Sequence, residues 1–187
     1  MLTADRYLAI ERMAKEKCEY YRGEMFAMAG ASAMHNLVVA NLIRAIGNAL
    51  VQSPCLVFAS DLRVSIDRAE HYVYPDVLVL CGEAEYLDDS FDTLLNPTMV
   101  VEVLSESTER YDRGLKFAGY RALASVQTII FVNQTKQSVE VYTRQPDDQW
   151  LLKAYEPTTY SNVVIPYSAI EIPLTDIYRG VEFSEPT

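Results

Sequence analysis

The chain has 187 residues, half of them hydrophobic, and its 26 acidic against 16 basic residues give a formal net charge of -10. This length and hydrophobic content predict one globular domain over residues 1–187. The acidic balance argues against a protein held on nucleic acid by broad phosphate neutralisation, although it is compatible with a local basic or metal-containing site.

The spacing of the cysteines and the length of the apolar runs bear on where in the cell the protein is expected. Cys18, Cys55 and Cys81 are widely spaced, and none belongs to a CxxC pair. This pattern predicts neither a zinc cluster nor a disulfide framework, and it favours a reducing setting. No apolar run is long enough for a membrane helix, and the charged N-terminus lacks the apolar core of a signal peptide. We therefore expect a soluble cytoplasmic protein without a membrane partner.

Two helix patterns flank a hairpin pattern in the first part of the chain. Residues 3–17 and 32–51 each begin with a hydroxyl residue suited to capping a helix, and both place apolar side chains at helical spacing. Between them, residues 18–29 are typical of a hairpin that turns at Arg22-Gly23, because glycine serves tight turns.

His35 falls in the first turn of the longer predicted helix. A functional interpretation makes it a substrate contact or a proton shuttle, because histidine titrates near neutral pH. The alternative is a half-exposed histidine that forms only local hydrogen bonds. His71 fits that alternative as well.

Two acidic residues enter apolar strands. Asp76 follows Pro75 and directly precedes the apolar run 77–80. Because proline is tolerated at the start of a strand, Asp76 is predicted to lie near that end of the strand rather than in its middle. Glu102 interrupts residues 99–104, where apolar side chains occupy both phases of the strand repeat, so we expect that strand to be buried on both faces. We predict that the two strands are neighbours in one sheet, with both carboxylates on the same side.

Glu102 needs a partner. An ionised carboxylate in an apolar layer costs roughly several kcal/mol unless a cation or hydrogen-bond donors compensate it. Arg63 or Arg121 could supply a structural partner. Lys116, in a short helix predicted after the polar turn, could supply a functional one, or it could form an exposed ion pair with Asp112 four residues earlier.

Further strands are indicated by short β-branched or alternating runs at residues 55–66, 72–80, 128–132, 138–143 and 150–155. The proline-containing tail is predicted to be mostly irregular. This order of elements predicts an α/β fold in which a mixed sheet is flanked by helices, with an added N-terminal hairpin and added C-terminal strands.

Two carboxylates from neighbouring strands and a nearby lysine suit phosphodiester hydrolysis. Mg²⁺ prefers hard oxygen ligands and keeps several waters, so it needs few protein ligands. The metal lowers the pKa of a bound water, and a lysine adds positive charge beside the water or the phosphate. Because these residue types are common, Asp76 could also be a turn-forming residue at a strand start.

Motifs in the middle of the chain resemble a known family. They are Tyr74-Pro75-Asp76-Val77, Val101-Glu102-Val103-Leu104-Ser105, Ser107-Thr108, Tyr111-Asp112-Arg113, Lys116-Phe117 and Tyr120-Arg121. The combination closely resembles the Uma-type endonuclease family, which has the restriction-endonuclease-like fold of the PD-(D/E)XK superfamily. The resemblance covers almost the whole chain. In the wider superfamily motif a lysine stands where this chain has Leu104, and the resemblance implies that the lysine has moved to the following helix, as Lys116.

The resemblance implies a DNA endonuclease that depends on Mg²⁺ or Mn²⁺. Asp76 and Glu102 would be metal ligands, the Val103 carbonyl would contribute, and Lys116 would assist the water or the transition state.

The resemblance also implies supporting residues. Glu24, just after the hairpin turn, is a candidate additional acidic group. Tyr111 and Tyr120 are candidate supports for Lys116, although aromatic packing explains them equally well.

Other functions stay open at this stage. A non-catalytic dimeric interaction protein that keeps the nuclease fold is the main alternative, and the net charge of -10 favours it, because duplex binding usually uses basic surface. Hydrolysis of a different phosphodiester is a third. For duplex cutting we expect a homodimer, since two-fold symmetry supplies one site per strand.

Overall fold

The computed structural model describes residues 1–28 and 30–183. The helices are α1 (Ala4–Glu11), α2 (Ala33–Ala49), α3 (Glu109–Tyr111), α4 (Phe117–Ala122) and α5 (Leu174–Ile177), and a π-helical turn (Asp112–Lys116) joins α3 to α4. The strands are β1 (Cys18–Tyr21), β2 (Glu24–Ala27), β3 (Cys55–Ala59), β4 (Arg63–Asp67), β5 (His71–Val73), β6 (Val77–Cys81), β7 (Thr93–Leu94), β8 (Met99–Leu104), β9 (Thr128–Asn133), β10 (Val139–Arg144), β11 (Trp150–Tyr155), β12 (Asn162–Ile165) and β13 (Ile170–Pro173).

The larger sheet has the strand order β11-β10-β9-β8-β6-β3. Its strand β8 is parallel to β9 and antiparallel to β6, so the sheet is mixed, as predicted. Every residue of β8 is buried. Val101 and Val103 belong to the core shared with α2, whereas Val100 and Leu104 belong to a second core on the other face. The alternation of side chains along a strand explains why β8 is apolar in both phases.

A smaller sheet has the strand order β2-β1-β5-β4-β7. The hairpin of β1 and β2 turns at Arg22 and Gly23, as predicted, and both residues have positive φ, of 47° and 90°. Glycine adopts this conformation readily, and paired positive φ values match a turn whose twist suits a two-residue hairpin. Residue 29, the last of the predicted hairpin range, lies outside the described residues.

Two predicted strands are each divided in the structure. Residues 55–66 form β3 and β4, and residues 72–80 fall on β5 and β6. In each case one strand joins the smaller sheet and the other the larger sheet. Pro75, which has no N–H to donate, lies at the second division, and the N–H of Tyr74 bonds to the Glu19 side chain instead of a strand. The chain therefore passes between the sheets at a proline.

The segment formed by α3, the π-helical turn and α4, called the 109–122 helical segment below, lies between the two sheets. Gly119 approaches Ile66 and His71 of the smaller sheet so closely that a Cβ atom there would stand 2.6 Å from Ile66 Cδ1. Phe117 packs on Phe131 of the larger sheet, with ring centroids 5.6 Å apart. Side chains of this segment can therefore contact both sheets at once.

Helix α1 ends earlier than predicted, at Glu11 rather than near residue 17. The Glu11 side chain is buried and accepts hydrogen bonds from the Cys18 N–H, at 2.9 Å, and from the Tyr74 hydroxyl, at 2.9 Å. These bonds turn the chain back toward β1. The tertiary contacts of one carboxylate thus override the local helical pattern.

The tail is more regular than predicted. Strands β12 and β13 form an antiparallel hairpin that ends in α5, and Val163, Ile165 and Ile172 are buried against the core that includes α2. Pro166 begins the connection and Pro173 ends β13, at positions where a missing N–H is tolerated. The prolines therefore mark strand boundaries.

The prediction of no disulfide is wrong for one pair of cysteines. Cys55 and Cys81 stand directly opposite each other on the antiparallel strands β3 and β6, with Cα atoms 4.1 Å apart, and a disulfide joins them. Directly opposed residues in such strands have side chains close together. Cys18 is a free thiol.

Across the described part of the chain, no helix combines the length and the apolar character needed to cross a membrane.

Candidate active site

The ammonium of Lys116 lies among three carboxylates. Its Nζ atom is 3.0 Å from Glu19 Oε1, 3.2 Å from Glu102 Oε1 and 3.4 Å from Asp112 Oδ1. All four side chains are at least 94% buried, because their exposed fractions are 6% or less. We call these four residues the acidic cluster.

Three different parts of the fold supply the acidic cluster. Glu19 comes from β1 of the smaller sheet and Glu102 from β8 of the larger sheet. Asp112 and Lys116 are the first and last residues of the π-helical turn, in which the Phe117 N–H bonds to the Asp112 carbonyl. Turns of this kind are frequent at functional sites. The predicted contact of Lys116 with Glu102 is present, and the Asp112 pair, interpreted from sequence as exposed, is buried.

Charge in the acidic cluster is not balanced. The three carboxylates outweigh burial and hold the pKa of Lys116 well above its ordinary value, so the ammonium stays charged. Burial raises the pKa of Glu102 well above its ordinary value, although Lys116 opposes this shift, and burial likewise raises the pKa of Asp112. One ammonium thus faces three carboxylates, and the surplus negative charge favours an additional cation or bound protons.

Glu102 is held by a tyrosine as well as by the lysine. The Tyr120 hydroxyl, fully buried, donates a 2.5 Å hydrogen bond to Glu102 Oε1. The suggested arginine partners of Glu102 are not its partners. Arg63 pairs with Asp92, and the Arg121 guanidinium stacks on a phenylalanine ring.

Asp76 lies beside Glu102, immediately before the first residue of β6. The register that pairs Val77 with Val101 continues to Asp76 and Glu102, which places the two residues on the same face of the larger sheet. Asp76 Oδ2 accepts a 2.7 Å hydrogen bond from the Val103 N–H. Strand adjacency is therefore as predicted, and Val103 contributes its N–H to Asp76.

His35 is close to Asp76 because the helix α2 begins at this end of the sheet. The Ser32 side chain caps α2 by accepting a hydrogen bond from the His35 N–H. His35 Nε2 lies 3.3 Å from Asp76 Oδ2, and both side chains are about 15% exposed (14% and 16%). Burial lowers the pKa of His35, but the contact with Asp76 outweighs burial and the pKa is raised.

The acidic residue of the hairpin that reaches the site is Glu19 rather than Glu24. Glu24 is exposed at the start of β2, and within the described residues no ion pair or hydrogen bond joins its side chain to the acidic cluster. Because side chains alternate along a strand, Glu19 and Tyr21 share the face that meets the 109–122 helical segment. The sequence reasoning missed Glu19, and the apolar and aromatic residues around it are the signal that could have indicated its burial.

The tyrosines suggested as supports for Lys116 both lie near the acidic cluster. Tyr120 acts through Glu102, and the Lys116 Nζ lies 5.5 Å from the centroid of the Tyr111 ring, within cation–π range. Burial, followed by the charge of Glu19, raises the pKa of Tyr111, so its hydroxyl stays protonated.

The donor set suits a hard divalent cation in part. In the described conformation, no three His, Cys, Asp or Glu side chains of the described residues form a group that could hold a metal ion. However, Asp76 and Glu102 each use one oxygen for the contacts above, Oδ2 and Oε1. Their second oxygens have capacity for a cation, and Mg²⁺ usually takes only one or two protein carboxylates with waters and substrate phosphates.

The chain is similar to a family and to a solved structure. The model of the Uma2 family, described as "Putative restriction endonuclease", matches residues 4–174. A crystal structure described as a "putative nuclease belonging to DUF820" from Anabaena variabilis ATCC 29413 has a TM-score of 0.76 and 17% identity, covering 95% of this chain and 98% of that chain. This similarity confirms the predicted fold class.

Two similar proteins come from Synechocystis sp. (strain ATCC 27184 / PCC 6803 / Kazusa). "Uncharacterized protein sll1609" is 39% identical over 152 residues, which are 81% of this chain and 86% of that protein. "Uncharacterized protein slr1290" is 33% identical over 182 residues, which are 97% of this chain and 94% of that protein. With the family model matching most of its length, the chain belongs to the Uma2 family.

Proposed function

We propose that this protein is a Mg²⁺-dependent DNA endonuclease whose chemistry depends on Asp76, Glu102 and Lys116. The observation that carries the proposal is the arrangement of two neighbouring carboxylates on one sheet face, one of which contacts a buried ammonium at 3.2 Å. Family membership supports the same reaction class.

Mg²⁺, or Mn²⁺, bound there would lower the pKa of a water and offset charge on the scissile phosphate. Asp76 Oδ1 and Glu102 Oε2 are the oxygens we assign to the cation. The Val103 N–H and the Tyr120 hydroxyl hold the other oxygen of each carboxylate, at 2.7 and 2.5 Å, and so fix the direction in which the acids point. Such orienting contacts raise the precision of a metal site.

Lys116 would serve as a fixed positive charge. Because its pKa is held well above the ordinary value, it cannot accept a proton from water near neutral pH, and a general-base role is disfavoured. A permanent ammonium is suited to stabilising the charge that develops on a phosphate in the transition state. To do so, the Lys116 ammonium must exchange one of its carboxylate contacts for a contact with the phosphate.

His35 is proposed to contact the substrate. Its Nε2 atom faces Asp76, while its Nδ1 atom is buried and has no hydrogen-bond partner among the described residues. A buried nitrogen without a partner is costly, so a rearrangement that lets a substrate group or a water bond to Nδ1 would be favourable.

A non-catalytic interaction protein is the second candidate, because the net charge of -10 opposes binding to a polyanion. In either case we propose a homodimer, which for cleavage would supply one site to each strand of a duplex. Light scattering of the purified protein measures the oligomeric state independently of activity.

Nicking of supercoiled plasmid DNA with and without Mg²⁺ tests the proposed reaction. We expect nicking that requires the metal and that Asp76→Asn abolishes. Glu24→Gln, an exposed change outside the acidic cluster, is the matched control and should nick like the unaltered protein. Absence of nicking by the unaltered protein with both metals, or equal nicking by Asp76→Asn, would overturn the proposal.

A further inference from the structure

Lys116 has two strong anchors that lie on different sheets. Its Nζ atom is 3.0 Å from Glu19 on the smaller sheet and 3.2 Å from Glu102 on the larger sheet. If Glu102 is also a metal ligand, the ammonium and a divalent cation must share one carboxylate. Two cations close to one another repel, and the repulsion is strong in a buried site because solvent screens it little.

Glu19 is built as a fixed anchor. Its side chain is 5% exposed, and the oxygen that faces Lys116 also accepts a 2.9 Å hydrogen bond from the Tyr74 N–H. Tyr74 directly precedes Pro75, where the chain crosses from one sheet to the other. A carboxylate held in this way cannot easily follow a cation toward the larger sheet.

We propose that Glu19 is a positioning residue that retains Lys116 when a divalent cation binds Glu102. This inference rests on the proposed function, since it takes Glu102 as the cation ligand. Without the cation, Lys116 contacts both Glu19 and Glu102. When the cation binds Glu102, the ammonium leaves Glu102 but stays on Glu19, and so keeps its place beside the phosphate site. Glu19 acts through Lys116 and does not itself touch the cation.

The effect of Glu19 on Mn²⁺ affinity should depend on the presence of Lys116. Without Glu19, the ammonium would remain on Glu102 and Asp112, where it competes with the cation. Glu19→Gln should therefore weaken Mn²⁺ binding, whereas in a Lys116→Met background the same change should matter little. A Glu19 that acted only through its own charge would weaken Mn²⁺ binding equally in both backgrounds.

Mn²⁺ titration of the protein without DNA, followed by electron paramagnetic resonance, measures this double-mutant cycle. We expect Glu19→Gln to lower Mn²⁺ affinity about tenfold alone and less than about twofold in the Lys116→Met background. Lys15→Met, which removes an exposed lysine, is the matched control and should leave Mn²⁺ affinity unchanged. Equal losses in both backgrounds, or no loss in either, would overturn the proposal.

A crystal of the unaltered protein soaked in Mn²⁺ gives a second readout if Lys116→Met does not fold. We expect Nζ to lie within about 3.2 Å of Glu19 and beyond about 4 Å from Glu102, the limit of an ion pair. An ammonium that stays on Glu102 or leaves Glu19 would contradict the inference. Neither readout uses DNA. If Mn²⁺ binds in the way expected here but the protein does not nick DNA, the proposed endonuclease activity is rejected and the positioning role of Glu19 is retained.

Discussion

Glu19 and Glu102 lie on different sheets, and the ammonium of Lys116 joins their carboxylates at 3.0 and 3.2 Å. The lysine therefore links the two sheets through the 109–122 helical segment. Lys116, which we propose acts on the phosphate, therefore also stabilises the fold. Variants at this position must be judged by stability as well as by activity.

Lys116→Met should destabilise the protein by about 3–5 kcal/mol at pH 8, because it leaves buried carboxylates without a cation. At pH 5 the loss should be smaller, since Glu102 and Asp112 have raised pKa values and take up protons more readily there. Urea denaturation at both pH values measures the difference. Lys15→Met should stay within about 0.5 kcal/mol of the unaltered protein. An equal loss at both pH values would count against the account of charge in the acidic cluster.

Tyr120→Phe removes the hydroxyl that donates to Glu102 in a fully buried setting. We expect a loss of about 1–3 kcal/mol in the free energy of unfolding, because the carboxylate loses a charge-assisted hydrogen bond. Tyr142→Phe is the matched comparison, since the Tyr142 hydroxyl donates to the half-buried Glu140 at 3.1 Å. Tyr142→Phe should lower the free energy of unfolding less than Tyr120→Phe does, because water can replace the Tyr142 hydroxyl. A larger loss for Tyr142→Phe would contradict the burial argument.

Gly119→Ala should destabilise the protein by about 1–3 kcal/mol, because the new Cβ atom would meet Ile66 Cδ1 in a packed contact. The distance would be 2.6 Å, with His71 Cε1 at 3.3 Å. Adding Ile66→Val, which removes that Cδ1 atom, should recover part of the loss. Gly47→Ala in α2 is the control: nothing lies within 4 Å, and we expect a gain of about 0.5–1 kcal/mol. Thermal or urea denaturation measures the change in the free energy of unfolding. If Gly119→Ala stabilised the protein, the 109–122 helical segment would not be packed closely against Ile66.

His71 should make stability fall as the pH drops from about 6.5 to 4. Burial lowers the pKa of His71 to about 4, so over this window the unfolded chain binds a proton that the folded protein does not. The cost at the low end is on the order of 2–3 kcal/mol. His71→Gln should show a correspondingly flatter profile of unfolding free energy against pH. Parallel profiles for the two proteins would mean that His71 is not the group responsible.

The sequence was most informative where a residue conflicted with its surroundings. Glu102 in a strand that is apolar in both phases predicted both burial and the need for a cation, and Lys116 is that cation. Asp76 after Pro75 predicted a carboxylate at a strand start. Local conflict of this kind can be read without knowing the rest of the fold, because it depends only on strand alternation and on the cost of burying charge.

What could not be predicted depends on tertiary placement. Glu19 lies in a short aromatic strand that suggests burial, but its partner Lys116 comes from the 109–122 helical segment, which is distant in the sequence. The spacing of Asp112 and Lys116 predicted an exposed helical ion pair, because helical spacing does not show that both side chains are buried in the acidic cluster. The pairing of Cys55 with Cys81 depends on the register of β3 against β6, which short apolar strands do not specify by themselves.

Glu102→Gln separates chemistry from stability. Because burial raises the pKa of Glu102, the folded protein binds this proton more tightly than the unfolded chain, and the ionised carboxylate costs stability as the pH rises above its ordinary value. Glutamine removes that cost, and Glu19 and Asp112 still neutralise Lys116. The variant should therefore be as stable as the unaltered protein at pH 8, or slightly more so.

The most direct measurement is plasmid nicking by Glu102→Gln in Mg²⁺, run beside its thermal melting in EDTA at pH 8. If Glu102 is a metal ligand, nicking should be lost while the melting temperature is unchanged or slightly raised. A large fall in melting temperature with nicking retained would contradict it, because Glu102 would then be a structural partner of Lys116 and not a group on which cleavage depends.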